Sequence, residues 1–373
     1  MAGIYIHIPF CKVKCNYCDF HFSTNQKYLS NMIDAICLEL IEKKNYLNTE
    51  IINTIYFGGG TPSILSPVYL KQIVDTVYKS YQINTDVEFT FECNPDDLTE
   101  QKLLNLKEIG INRLSIGIQS FEDEQLEFMN RAHNANEANQ CVELAQKMGF
   151  NNITIDLIYG LPNTDITYWT TQVQKALDLN VNHISAYCLT IEDKTVFGNM
   201  HQKGKLNSMN DEQSLSQFKL LQSKLKHAGF EHYEISNFSK NGYISQHNSA
   251  YWLGENYIGI GPSAHSYNGQ TRQWNIANNI SYIKALNHKQ PYFENEELTP
   301  KNQFNEYILT RLRTKWGVNL IDLFKIYDKT EVKTSNRINL FIKNGDLKQS
   351  NDTLFLTEQG KFIADFISAE LFV

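Results

Sequence analysis

Three cysteines near the start of the chain have the spacing of a metal site. The run CKVKCNYC places Cys11, Cys15 and Cys18 close enough to surround a metal without help from distant segments. Zinc would need a fourth ligand such as His7 or His21, but structural zinc sites usually combine two cysteine knuckles, and the sequence has no second pair. We therefore favour an iron–sulfur cluster with one open iron, because an open coordination position is where metal chemistry takes place.

Polar or glycine-rich residues also stand at the ends of several stretches that are typical of β-strands. The run GGGTP at 58–62 follows the second predicted strand, Glu92 closes the third, Gln119 follows the fourth and Asp156 lies inside the fifth. GGGTP is not a P-loop, because no Gly-Lys-Ser/Thr follows it. Active sites of parallel barrels lie at the carboxyl ends of the strands, so we expect these residues to meet the cysteine run there.

The first half of the chain alternates strand patterns with helical patterns, which predicts parallel strands joined by crossover helices. The predicted strands are Ile4–Ile8, Asn53–Phe57, Val87–Glu92, Arg113–Ile118, Ile153–Ile158 and His183–Leu189. The predicted helices between them are Tyr28–Lys43, Val68–Lys79, Glu100–Ile109, Asn136–Met148 and Tyr168–Leu179. Six such units predict an α/β fold with a barrel-like sheet that is incomplete.

Composition excludes several classes of protein. The 373 residues carry a net charge of −7, which argues against a protein that binds nucleic acid electrostatically. No apolar run approaches the roughly 20 residues of a membrane span, and the start lacks the basic region of a signal peptide. Seven cysteines, three of them crowded, do not suggest a disulfide framework. We expect a cytoplasmic protein.

Changes in residue composition and in helix and strand patterns divide the rest of the chain into two further parts. We predict a barrel core over 1–190, an extension with aromatic functional loops over 191–298, and a winged-helix-like domain over 299–373. The run GIGPSAH at 259–265 mimics a dinucleotide fingerprint but lacks the βαβ context. The last part carries 11 Lys and Arg against 9 Asp and Glu, without an evident basic recognition helix. Substrate covering or partner docking is favoured there over DNA binding.

The cysteine spacing resembles the CxxxCxxC signature of radical S-adenosylmethionine (SAM) enzymes. The resemblance implies a partial (β/α)6 barrel with a [4Fe–4S] cluster held by Cys11, Cys15 and Cys18, whose open iron binds SAM. Within that superfamily, the runs YIHIPFC, FGGGTPS, FTFECNPDDL, RLSIGIQSF, MNRAH and ITIDLIYGLP resemble the oxygen-independent coproporphyrinogen III dehydrogenase and haem chaperone group. In that group the stretch that corresponds to GIGPSAH lies near the SAM adenine.

The resemblance carries SAM contacts onto matching positions of this chain. These are Tyr5, Gly59, Gly60, Thr61, Glu92, Gln119, Arg131 and Asp156. Tyr17 falls where the dehydrogenase has an aromatic contact to a second SAM. Without the resemblance, Arg131 reads as a solvated cation at a helix end and Gln119 as a strand-end side chain bonded to backbone.

Two departures from the dehydrogenase pattern favour the HemW-type haem chaperone branch. Phe20 stands where the dehydrogenase has a further cysteine, and only ten residues precede Cys11. The run HNSAYW at 247–252 resembles the HNxxYW motif of that branch and implies haem contact through His247, Tyr251 and Trp252. The resemblance implies that haem is cargo for acceptors such as membrane respiratory enzymes. A cytoplasmic protein with that role is expected to reach the inner face of the membrane as a peripheral protein. A coproporphyrinogen III dehydrogenase, or a radical SAM enzyme with another substrate, is the alternative.

Overall fold

A computed structural model describes residues 2–48, 50–328 and 331–373 of this protein. Its main feature is a twelve-stranded mixed sheet in the order β12-β11-β10-β9-β1-β2-β3-β4-β5-β6-β8-β7. The strands of this sheet are β1 Ala2–Ile8, β2 Ile52–Gly59, β3 Ile83–Cys93, β4 Arg113–Gln119, β5 Asn152–Tyr159, β6 His183–Cys188, β7 Glu231–Glu234, β8 Asn237–Ser239, β9 Asn256–Ile260, β10 His265–Tyr267, β11 Thr271–Asn275 and β12 Phe293–Glu297.

Helices connect the strands and cover the outer face of the sheet. Those up to residue 287 are α1 Leu29–Glu42, α2 Pro67–Ser80, α3 Glu100–Ile109, α4 Asp123–Phe128, α5 Ala135–Lys147, α6 Ile166–Asp178, α7 Val196–Gln202, α8 Asp211–His227, α9 Gln246–Trp252 and α10 Asn279–Asn287. Several begin at residues that satisfy free N–H groups of the first turn, as the side chains of Ser66, Thr99, Asn134 and Asp165 do.

The parallel core confirms the predicted α/β fold and extends it. Strands β1 to β6 pair in parallel in sequence order. On β4, Leu114, Ile116 and Ile118 are fully buried, as expected of a strand covered by helices. A seventh parallel strand, β9, lies beside β1 in a segment where we expected loops, and that expectation was wrong.

The C-terminal part has its own small sheet and hydrophobic cluster. It contains α11 Pro300–Leu312, β13 Val318–Asn319, α12 Leu320–Ile326, α13 Glu331–Asn344, β14 Leu347–Ser350, β15 Thr353–Leu356 and α14 Ala364–Leu371. Strands β14 and β15 form an antiparallel hairpin, and β13 adds a third strand in the order β13-β15-β14. The domain boundaries at 190 and 298 stay a prediction. Among the described residues, the helices are all too short or too polar to cross a membrane.

Candidate functional site

The cysteine run forms a loop that the fold fixes from both sides. The backbone N–H of Cys11 donates to the Ser23 carbonyl at 3.1 Å, which closes the loop on itself. Asn16 donates from its backbone to the Met129 carbonyl at 3.0 Å and from its side chain to the Phe128 carbonyl at 2.7 Å. The loop following β1 is therefore attached to the segment following α4, across the carboxyl end of the sheet.

The three thiols lie close enough to influence one another. Burial raises the pKa of the Cys11 thiol to about 12; a hydrogen bond with Thr61 opposes the rise, and the proximity of Cys18 and Cys15 adds to it. Burial likewise raises the pKa of the Cys18 thiol to about 11. Among the described residues no three His, Cys, Asp or Glu side chains converge on a single metal ion. A [4Fe–4S] cluster places each thiolate on a different iron, so this spacing suits a cluster better than one ion.

Arg131 lies against the cysteine loop and is not a solvated cation. Its Nη1 atom donates to the Cys15 sulfur at 3.4 Å and to the Tyr17 hydroxyl at 3.3 Å. Its Nη2 atom donates to Asn94 Oδ1 and to the Gly117 carbonyl, each at 2.8 Å. Its Nε atom is buried and has no hydrogen-bond partner among the described residues. The Nε–H of the guanidinium can therefore donate to one further acceptor, and a carboxylate suits a guanidinium best.

The glycines after β2 occupy positions that a larger residue could not. Gly59 has φ +106°, and a Cβ there would lie 2.5 Å from Nδ1 of His7. A Cβ on Gly60 would lie 2.5 Å from the Phe10 carbonyl oxygen. The N–H groups of Gly60 and Thr61 donate to the carbonyls of Ile8 and Phe10 at 2.8 and 2.7 Å. Those two N–H groups therefore serve the fold, and glycine is needed for close approach of the chain to β1.

Two carboxylates, those of Glu92 on β3 and Asp156 on β5, point into the barrel. The Tyr56 hydroxyl donates to Oε1 of Glu92 at 2.7 Å. Burial raises the pKa of Glu92 to about 7, although the Tyr56 hydrogen bond lowers it. Burial also raises the pKa of Asp156 to about 6, while a hydrogen bond with Ser185 and the charge of Arg113 lower it. Both carboxylates therefore change charge near neutral pH, and Ser185 is a hydrogen-bond partner of Asp156.

Gln119 occupies an unusual backbone conformation at the end of β4. Its φ is +66°, a conformation that is uncommon for a residue with a side chain and that Asn adopts more readily than Gln. The Gln119 side chain lies beside Gly117, where an added Cβ would be 3.0 Å from Nε2 of Gln119 and 3.3 Å from Nη2 of Arg131. The structure therefore brings Gln119 and Arg131 together on the inner face of the sheet.

A cavity of about 480 Å³ opens beside these groups. Its lining residues are Tyr5, His7, Asp19, Phe20, His21, Gly59, Glu92, Tyr251, Tyr257, Ser263, Ala264 and His265. Of the predicted SAM contacts, Tyr5, Gly59 and Glu92 line this cavity directly. The adenine-proximal stretch of the resemblance contributes Ser263, Ala264 and His265. The volume falls within the range of small-molecule sites, about 300–1,000 Å³.

The HNSAYW run is a buried helix, and our expectation of a loop was wrong. His247 is 1% exposed within α9. One ring nitrogen pairs with the Thr54 hydroxyl at 2.8 Å and the other with the Tyr251 hydroxyl at 2.8 Å. The backbone N–H groups of Gln246 and His247 donate to the two carboxylate oxygens of Glu88. Contacts with β2 and β3 therefore draw α9 into the barrel.

The other motif aromatics lie on different sides of α9. Tyr251 lines the cavity, while Trp252 lies under the guanidinium of Arg313, 5.4 Å from the ring centroid. The motif thus connects the cavity wall to the end of α11. Haem contact by His247, Tyr251 and Trp252 stays a prediction.

Sequence reasoning missed several residues of the site. Tyr56 lies two residues before Gly58 and so on the same inner face of β2, and strand alternation could have found it. Glu88 and Thr54 hold His247 through contacts separated from it by more than 150 residues. His265 was not named individually, although the resemblance had placed its run, GIGPSAH, near the SAM adenine.

Comparison with known proteins identifies the family. Residues 5–171 match the radical SAM superfamily. Over 369 residues the chain is 36% identical to heme chaperone HemW of Bacillus subtilis, covering 98% of this chain and 97% of the relative. The chain belongs to the HemW family of radical SAM proteins. A second member of the HemW family, heme chaperone HemW of Mycobacterium tuberculosis strain H37Rv, is 30% identical over 98% of this chain and 93% of its own length.

Among solved structures, this HemW family member has the fold of coproporphyrinogen III oxidase (HemN) from Escherichia coli. The TM-score is 0.86, with 20% identity over 100% of this chain and 90% of the other. The radical SAM family implies a [4Fe–4S] cluster and SAM. The residues present fit both groups. For the cluster, three half-buried thiols lie on one loop. For SAM, the buried Nε–H of Arg131 has no hydrogen-bond partner among the described residues, and Gly59 and Gly60 stand where a Cβ would collide with His7 and Phe10.

Proposed function

We propose that this protein is a haem chaperone of the HemW type, which binds haem and delivers it to acceptor proteins. Near full-length similarity carries the proposal, because the match covers 98% of this chain and 97% of a relative named heme chaperone. Both the cluster loop and the C-terminal part are therefore shared. Acceptors would be haem-containing proteins, among them respiratory enzymes of the membrane.

The protein would hold its cluster through Cys11, Cys15 and Cys18. When bound, the cluster would supply an open iron for the amino and carboxylate groups of SAM. The chain's own contribution is the surrounding pocket. Arg131 can offer its free Nε–H to the SAM carboxylate, and Glu92 and Asp156 can accept hydrogen bonds from ribose hydroxyls. The chain is kept close to β1 by Gly59, Gly60 and Thr61. The inner face of the sheet is lined by Tyr5 and Gln119, and the hydroxyl of Tyr17 accepts a hydrogen bond from Arg131.

The second candidate function is oxidative decarboxylation of coproporphyrinogen III. The likeness to HemN favours it, but at 20% identity that likeness concerns the fold. Phe20, which is 70% exposed and lines the cavity, stands where the dehydrogenase motif continues with cysteine. An exposed phenylalanine gives the cavity an apolar surface suited to a flat ligand rather than another thiol.

Anaerobically reconstituted protein should be incubated separately with haem and with coproporphyrinogen III. We expect a haem complex with a defined Soret band that loses its haem to an apo-acceptor such as an apocytochrome b. We expect no protoporphyrinogen IX, even with SAM and a strong reductant. Turnover above about one per second would be typical of an enzyme and would replace the chaperone with the dehydrogenase. Slow SAM cleavage without a porphyrin product would leave the proposal in place.

A further inference from the structure

A second cavity, of about 330 Å³, lies between the large sheet and the C-terminal part. One wall comes from the edge strand β7, and another comes from the hairpin of β14 and β15. Among the described residues this cavity shares no lining residue with the 480 Å³ cavity that contains the SAM contacts. Its described lining includes four cations and two carboxylates, namely Arg313, Lys315, Lys348, Lys361, Glu234 and Glu358. The size suits a small molecule, and the excess of positive charge suits an anion.

Arg313 and Lys315 already have acidic partners. The Nη1 atom of Arg313 donates to Oδ1 of Asp365 at 2.6 Å, and its Nε atom donates to Oε1 of Glu234 at 3.4 Å. The Nζ atom of Lys315 donates to Oε2 of Glu231 at 2.7 Å. Because these pairs compensate the charge of both cations, an anion in the cavity would be attracted mainly by the other two.

Lys361 is held in a fixed position and keeps one donor free. Its Nζ atom lies 3.0 Å from Nδ1 of His232 and 3.0 Å from Oε1 of Glu358. Burial and the charge of Lys361 lower the pKa of His232 to about 4, so the His232 ring is neutral at neutral pH. The Nε2 atom of His232 pairs with the Ile235 carbonyl at 2.9 Å, so Nε2 carries the proton and Nδ1 accepts from the ammonium. An ammonium group has three N–H donors, so one donor of Lys361 remains for a ligand.

Lys348 and Lys226 add positive charge without an ion-pair partner among the described residues. The Nζ atom of Lys348 lies 6.0 Å from the ring centroid of Phe355, its neighbour across the hairpin, and makes no hydrogen bond within the described part of the chain. Burial lowers the pKa of Lys361, the hydrogen bond with Glu358 opposes this change, and the charges of Lys348 and Lys226 add to it. Three ammonium groups therefore lie near one another, and the Glu358 carboxylate pairs with one of them.

We infer that the 330 Å³ cavity binds a phosphate-bearing ligand, whose phosphate contacts Lys348 and Lys361 and whose organic part packs against Phe355. The free donors are ammonium groups, which bind phosphate as point charges. The guanidinium fork of Arg313, which would favour a carboxylate, is already engaged by two carboxylates of the protein. The site therefore selects its ligand by charge.

The charge and the remaining polar groups of the cavity fit a phosphate ester. A phosphate monoester carries about −1.5 to −2 charges at pH 7, which matches the uncompensated charges of Lys348 and Lys226. The Ser350 hydroxyl lines the same cavity two residues along β14 from Lys348, so both side chains lie on one face of the strand. That hydroxyl has no hydrogen-bond partner among the described residues and can donate to a phosphate oxygen. A ligand held here would connect the edge of the large sheet to the C-terminal part.

Calorimetric titration of the full-length, cluster-loaded protein with phenyl phosphate tests the site, because this probe has both a phosphate and a flat apolar group. Lys348→Gln should raise the Kd for phenyl phosphate at least tenfold, about 1.4 kcal/mol. Lys343→Gln is the matched control, because it removes the same charge from an exposed position of α13 outside the cavity. This control should bind phenyl phosphate as the wild type does. Saturating SAM should leave the Kd unchanged, because the SAM contacts line the other cavity.

Vesicles distinguish a lipid headgroup from a soluble phosphate ester. Cosedimentation with phosphatidylglycerol vesicles but not with phosphatidylcholine vesicles, lost in Lys348→Gln, would assign the phosphate to an anionic lipid. Binding of phenyl phosphate without such cosedimentation would assign it to a soluble ester.

Three results would overturn the site. A wild-type protein that binds neither phenyl phosphate nor phosphatidylglycerol vesicles has no such site. Equal affinity in Lys348→Gln and the wild type would remove Lys348 and its cavity from the interaction. Displacement of phenyl phosphate by SAM would place the probe in the 480 Å³ cavity instead. Unchanged iron content and circular dichroism in each variant exclude unfolding as the cause of any loss.

Discussion

The Tyr56 hydroxyl donates a 2.7 Å hydrogen bond to Oε1 of Glu92. The same tyrosine ring stacks on His247 at 5.0 Å, so one side chain contacts both the carboxylate of the SAM pocket and the HNSAYW helix. A substitution of Glu92 or of His247 would therefore remove a contact of Tyr56. This contact links the two parts of the chain to which the family resemblance assigns SAM and haem.

SAM affinity should rise with pH through about 7. Burial is the main cause that places the pKa of Glu92 at about 7, so this side chain is mostly protonated below that pH and ionised above it. The ionised form is the better acceptor for a ribose hydroxyl. Because the Tyr56 hydrogen bond lowers the pKa of Glu92, Tyr56→Phe should move the midpoint to higher pH. Equilibrium dialysis of SAM between pH 6 and 8.5 measures this shift, and an affinity that is constant in both proteins would contradict the role of Glu92.

The strands that follow one another along the chain could be predicted, but the seventh parallel strand could not. Strands β1 to β6 are β-branched runs separated by helix-length segments, a pattern that local sequence reveals. Strand β9 is only five residues long, contains Gly259 and follows the seven-residue helix α9. Its place beside β1 is set by tertiary pairing from Ala2 to Ile6.

The residues that hold the site were only partly predictable for a similar reason. Motif spacing pointed to the cysteines and glycines, because their chemistry depends on local sequence. The environment of His247 depends on Thr54 and Glu88, which lie on other strands. Local sequence around 247 is aromatic and polar, so it resembled a loop. The burial of α9 follows from polar partners inside the barrel that no local pattern reveals.

Gly59→Ala should destabilise the protein and prevent SAM binding. The added methyl would lie 2.5 Å from the His7 ring, at a φ of +106° that disfavours any side chain. Gly110→Ala is a matched control, because Gly110 has φ +98° and open space around the added methyl. We expect Gly110→Ala to cost about 1 kcal/mol from the backbone alone, with SAM binding kept. Urea unfolding and equilibrium dialysis of SAM compare the two variants. Equal losses of stability and of SAM affinity in both would show that contact with His7 is unimportant.

Replacing Cys11, Cys15 or Cys18 by Ala should abolish both cluster assembly and SAM binding. Anaerobically reconstituted wild-type protein should carry about four irons per chain. Cys141→Ala removes a buried thiol of α5 that has no cluster partner, so its iron content should stay near that of wild type. Cys188 is exposed at the end of β6, away from the cysteine loop in sequence, and Cys188→Ala should also keep its iron. If a variant with all three of Cys11, Cys15 and Cys18 replaced by Ala retains its iron, the cluster ligands lie elsewhere.

His247→Ala should destabilise the barrel whether or not haem is present. The change leaves the Thr54 and Tyr251 hydroxyls without their partner, and each unsatisfied buried group costs about 1–3 kcal/mol. Thr54→Val removes one of these groups, so the double variant should lose less stability than the sum of the single changes. A coupling free energy of about 0.5–3 kcal/mol from urea unfolding of the haem-free protein would support a structural role for His247. Strict additivity would mean that the pair makes no net contribution, and the burial of His247 would then need another explanation.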